Sequence, residues 1–141
     1  MPKNLALLLI LSLCSAGLLQ AQTPKVVASN PASSILKKNV NQMVRLPDSY
    51  AASQQKYPVL FFLQVTDEMV EEIAVLTQTL HKENGTPEMI VVGINVEDKL
   101  EREMENAVYD KYLSYLEQEL IPSIEKKYRC NGQRVLHGRS L

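Results

Sequence analysis

Two cysteines and two histidines are all that this 141-residue sequence holds of the thiols and imidazoles that build disulfide frameworks and zinc centres. Cys14 falls in the N-terminal apolar stretch, so Cys130 is left without an intrachain partner and no disulfide framework is expected. One cysteine with the widely separated His81 and His137 makes no recognised zinc spacing, so no metal is expected and no other cofactor is called for. Basic blocks are also missing. Fifteen Lys and Arg stand against 16 Asp and Glu, for a formal charge of −1, which argues against nucleic acid as a partner, because holding a phosphate backbone takes clustered cations. No apolar run reaches the ~20 residues that span a bilayer. The longest, Leu5 to Leu19, is interrupted by Ser12, Cys14 and Ser15, so no stable membrane span is expected.

The first 21 residues have the layout of a secretory signal peptide: Lys3 as a positive n-region, Leu5 to Leu13 as the h-region, and Leu19-Gln20-Ala21 as a cleavage site ending in a small residue. The expectation is an exported protein, periplasmic or extracellular, whose mature chain begins at Gln22. Lipidation at Cys14 is the weaker alternative, since Leu13 is bulky where lipoprotein signals carry a small residue. Loss of Lys3 leaves 14 basic and 16 acidic residues, a charge of −2.

Residues 22–34, rich in Ser, Ala, Pro and Asn without periodicity, read as an exposed leader, and residues 35–141 as one partial domain. Val40, Gln42, Val44 and Leu46 alternate with Asn41, Met43 and Arg45, predicting a strand with one covered face that stops at Pro47. Val59-Leu60-Phe61-Phe62-Leu63 is continuously apolar, as in a parallel strand buried on both faces. Thr66 or Asp67 can cap a helix whose apolar stripe is Met69, Ile73, Leu76 and Leu80, ended by Gly85 and Pro87. A second inner strand is expected at Met89 to Ile94, then a solvated charged stretch from Val96 to Glu105. The spacing of Tyr109, Tyr112, Leu116, Leu120 and Ile124 predicts a helix over 106–128, bent or divided by Pro122. Arg129 to Gln133 reads as a polar turn, with Cys130 an ordinary residue in it, and Arg134 to His137 as the third inner strand. Strands alternating with helices imply an α/β sheet, whose reactive residues gather at the carboxyl ends of strands.

Just past one such end stands Gly138-Arg139-Ser140-Leu141, which fills the first four places of a Gly-x-Ser-x-Gly nucleophile elbow. With it, Val44 to Tyr50 running into Tyr57 to Leu63, then Met89 to Ile94, and above all Glu119 to Tyr128 followed by His137 to Leu141, resemble the esterase family of α/β-hydrolases that includes siderophore, feruloyl and acetylxylan esterases and S-formylglutathione hydrolases.

The resemblance implies the N-terminal half of an α/β-hydrolase fold, a mostly parallel sheet flanked by helices, ending at the elbow. It implies ester hydrolysis through an acyl-enzyme, with Ser140 the nucleophile and a small-molecule or carbohydrate ester as substrate. The backbone amide of Leu141 is one implied oxyanion donor, and the other comes from the turn at Gln64 and Val65. Relatives carry glycine at the second of those positions; valine, being β-branched, tolerates fewer conformations. The family order runs Ser, acid, His, so both partners of Ser140 are expected beyond Leu141 and residues 22–141 alone are expected to be inactive. His137, three residues before Ser140, is not read as its base; His81 is read as solvated. Asp98 and Asp110 precede the serine and do not fit the acid's place. Two readings outside this class remain: a non-catalytic exported α/β module that binds a ligand or protein, and a thioredoxin-like fold, disfavoured because no Cys-x-x-Cys follows the first inner strand.

Overall fold

The computed structural model describes residues 26–96 and 106–138. Residues 1–25, with the expected signal peptide, the charged stretch from residue 97 to 105, and Arg139, Ser140 and Leu141 lie outside the described residues. Strands β1 (Val27–Ser29), β4 (Asn41–Arg45), β5 (Tyr57–Leu63), β6 (Ile90–Asn95) and β7 (Cys130–His137) form one sheet, in the order β1-β4-β6-β5-β7. β1 with β4 and β4 with β6 pair antiparallel, whereas β6, β5 and β7 run parallel. A small hairpin pairs β2 (Ala32–Ser33) with β3 (Lys38–Asn39).

Helices cover the two faces. On one, α2 (Asn106–Tyr115), a π-helical turn (Leu116–Leu120) and α3 (Ile121–Lys127) follow in direct succession. Their Tyr112, Tyr115, Leu116, Leu120 and Ile124 bury against Val44, Val59, Phe61, Val92 and Ile94. On the other face α1 (Asp67–Asn84) sets Val70 and Ala74 against Met43, Val65 and Val91. Each such side chain, fully buried, contributes about 1.5–3 kcal/mol for the larger residues. Thr66 caps α1 as expected, its hydroxyl accepting from the Met69 amide at 3.4 Å, and Gly85 closes it in the left-handed region with its N–H on the His81 carbonyl.

Several local expectations change. Residues 27–29, placed in the leader, are an exposed edge strand on β4, and Ser33 is buried because Glu119 reaches it. β4 is covered on both faces, not one: Met43 lies under α1, and Gln42, buried opposite, donates from Nε2 to the Tyr115 hydroxyl at 3.1 Å. Of the stripe the periodicity of α1 pointed to, Met69 and Ile73 pack at the margin of the cluster under this helix, but Leu76 and Leu80 are 58% and 37% exposed, and Val70 and Ala74 face the sheet instead. Pro122 divides the long helix as expected, through a π turn in which the Ile121 amide donates to the Leu116 carbonyl; the proline thus opens the next helical segment, where its missing N–H costs least. β7 begins at Cys130, not Arg134. Gly132, at φ +89°, absorbs extra residues as a bulge: between Tyr57–Cys130 and Val59–Arg134, β5 advances two residues and β7 four. Among the described residues β7 pairs only with β5, and Val135 and Leu136 are about half exposed.

Candidate active site at the carboxyl edge of the parallel strands

β5, β6 and β7 end side by side. Leu63 pairs with Ile94 and Phe62 with His137, and the Phe62 and His137 rings meet at 4.7 Å between centroids. Gly138 then leaves β7 next to Leu63, whose Cδ1 is 3.9 Å from the point a Cβ on that glycine would occupy. The start of the expected elbow and the Gln64–Val65 turn thus lie on adjacent strands at one edge of the sheet, which is where α/β sheets collect reactive residues.

The turn has a definite conformation. Gln64 adopts φ +59°, a left-handed value that is costly for a residue with a Cβ. Its amide donates to the Ile94 carbonyl at 2.8 Å, and the Val65 amide is directed at the same oxygen at 3.4 Å. Val65 is buried and packs with Val70 over Gly93. The left-handed residue is therefore Gln64 and not Val65, where relatives were expected to need glycine; the pattern of apolar residues carries no signal for that shift. The Gln64 side chain is exposed and makes no hydrogen bond among the described residues.

The other residues singled out in the sequence lie apart from this edge or outside the described residues. His81 is half-buried at the far end of α1, where its Nδ1 sits 2.6 Å from the Thr86 carbonyl, so it is engaged and not simply solvated. Asp110 is exposed on α2, and Asp98 falls in the stretch not described. Cys130 is half-buried at the opposite end of β7. Burial, reinforced by Glu125 and partly offset by Arg134, pushes its thiol up, away from the reactive thiolate form. No group of His, Cys, Asp and Glu among the described residues could hold a metal ion, and no described helix is long and apolar enough to cross a membrane.

Residues 33–141 match the family described as "Putative esterase", and the chain belongs to that family. Solved structures agree in fold. An IroE-like serine hydrolase from Shewanella oneidensis superposes with a TM-score of 0.68 at 26% identity, over 79% of this chain and 42% of its own. A ferulic acid esterase matches at 0.65 and 28%, over 82% and 48%. A ferulic acid esterase from Anaeromyces mucronatus, solved in complex with ferulic acid, matches at 0.63 and 21%, over 83% and 49%. The chain thus spans about half, or less, of the length of these relatives. No curated protein matches it.

Proposed function

We infer that this chain supplies the nucleophile-bearing part of an exported serine carboxylic-ester hydrolase. The observation that carries the reading is the meeting, at one sheet edge, of Gly138 leaving β7 and the Gln64–Val65 turn leaving β5. Ser140 follows Gly138 by two residues, a reach of at most about 7 Å. In this reading its hydroxyl attacks the ester carbonyl, the Leu141 amide donates to the oxyanion, and the turn at Gln64–Val65 contributes the second donor. A serine hydroxyl needs a base; the acid and histidine follow in the order of the family, in the part of the relatives' length that this chain does not span. The substrate class is a small-molecule or carbohydrate ester, a reading supported by the relative solved with ferulic acid.

A fluorophosphonate probe tests the reading on the full-length protein. It should label Ser140, and Ser140→Ala should abolish labelling and lower aryl-ester turnover by about 10³-fold or more. Export predicts a mature N-terminus at Gln22 in the protein's mass spectrum; an intact Met1 would count against it.

A second reading, a non-catalytic binding module, is favoured by one observation: both turn amides are directed at the Ile94 carbonyl and not outward. Retained binding of an aromatic acid by a protein whose Ser140 takes no label would support it.

A further inference from the structure

We propose that the side-chain carboxamide of Gln64 is the second oxyanion donor, in place of a backbone amide of its turn. The proposal rests on the reading of Ser140 as nucleophile. Three observations carry it. The Gln64 N–H is spent on the Ile94 carbonyl at 2.8 Å, the last rung of the β5–β6 ladder. The Val65 N–H is turned toward the same oxygen, and its side chain is wedged so closely over β6 that its Cγ2 lies 2.8 Å from where a Cβ on Gly93 would stand. Turning that peptide outward would have to move a buried valine in a packed interior. Gln64 itself is held in the left-handed region at the end of β5, exposed, with two N–H donors that no described residue uses. A strained residue whose side chain has no partner among the described residues, at the edge where the elbow begins, is placed for work and not for packing.

In the reaction the hydroxyl oxygen of Ser140 bonds to the ester carbonyl carbon. Its proton passes to the histidine base, and the carbonyl π pair moves onto oxygen. The Gln64 Nε2–H donates to that oxyanion beside the Leu141 amide, and both release it when the carbonyl re-forms and the alcohol leaves with the proton. A side-chain amide is an established type of donor for this charge.

Gln64→Ala and Gln64→Gly in the full-length protein separate the two kinds of donor. Glycine removes the carboxamide but relaxes the left-handed backbone, so it does not endanger folding and would favour a backbone donor. Both variants should lower kcat by about 10²–10³-fold with KM nearly unchanged, weaken a boronic acid transition-state analogue by a similar factor, and still label at Ser140. A Gln64→Gly variant that keeps the kcat of the parent assigns the donor to the backbone and overturns the proposal. Unchanged turnover in Ser140→Ala instead overturns the serine reading beneath it, a distinct result.

Discussion

A methyl group on Gly93 would stand 2.2 Å from the Val70 Cγ2 and 2.8 Å from the Val65 Cγ2, distances at which something must move. Both neighbours are stiff at χ1 and fully buried. Gly93→Ala should therefore destabilise the fold by about 1–3 kcal/mol, seen as a lower denaturant midpoint, and Val70→Ala should recover part of the loss when the two are combined. Glu88 presents an electrostatic counterpart. Burial alone would raise its pKa, but hydrogen bonds from the Ser49 hydroxyl, from Gln78 and from the Ser49 amide, with His81 nearby, together hold it below the usual carboxylate value. A carboxyl depressed in the folded state stabilises fully above its unfolded pKa, near 4.5, and loses that contribution as pH falls through the folded value. Acid unfolding followed by circular dichroism should steepen below about pH 4.5, and Glu88→Gln should flatten that limb. Neither feature was legible beforehand. Gly93 read as part of an ordinary inner strand, and the Glu88 partners come from residues 49 and 78, which no local pattern connects to it.

Elements were more legible than their surfaces. The β5, α1 and β6 segments, the Thr66 cap, the Gly85 stop and the division of the long helix at Pro122 all follow from local chemistry: continuous apolar runs, a side-chain oxygen for an orphan amide, a residue free to take positive φ, a ring with no N–H. The face that each element buries depends on what packs against it, and sequence period alone misassigned two of them. Leu76 and Leu80 keep helical spacing with Met69 and Ile73, but only the latter two pack against the cluster, whose centre is the neighbouring pair Val70 and Ala74. Gly132, among polar residues, looked like a turn because a bulge needs the same residue for the same reason. The attachment of the β2–β3 hairpin was hidden for another cause, the long separation of its partners. One Glu119 carboxylate accepts from the hydroxyls of Ser33 and Ser34 and the amides of Ser34 and Ile35, and these bonds hold its pKa down. Glu119→Ala should speed amide exchange at Ser34 and Ile35 while leaving β5 and β6 protected, and uniform loss of protection would refute this anchoring role.

For the molecule as a whole, the sheet has two sides of unequal completeness. β6 is flanked on both edges and covered on both faces, whereas among the described residues β7 has a neighbour on one edge only, with Val135 and Leu136 about half exposed. A strand edge without a neighbour is a template for pairing with another chain. Residues 22–141 produced alone should self-associate with rising concentration in sedimentation velocity, and Leu136→Lys should suppress it. The α/β class was readable from the order of segments, and so was the side-by-side ending of β5 and β7 that brings Gly138 next to the Gln64–Val65 turn. The antiparallel place of β4 between β1 and β6, and the recruitment of residues 27–29 to the sheet, were not, since pairing partners are set by three-dimensional neighbours and not by composition.

The strand order also has a consequence in time. β5, α1 and β6 form a contiguous unit that can pair soon after it is made, but the rung between Phe62 and His137 must wait for all of the chain between them and close the loop it makes. Pairings of that sequence separation are slow because chain entropy is lost before contacts repay it. On a ribosome or emerging from a translocation channel, the strand that leads to Ser140 joins a sheet already laid down. Of the described strands, the one beside the nucleophile is then the last to be assembled, and a protein caught before that step would keep the packing of β5, α1 and β6 while lacking any site.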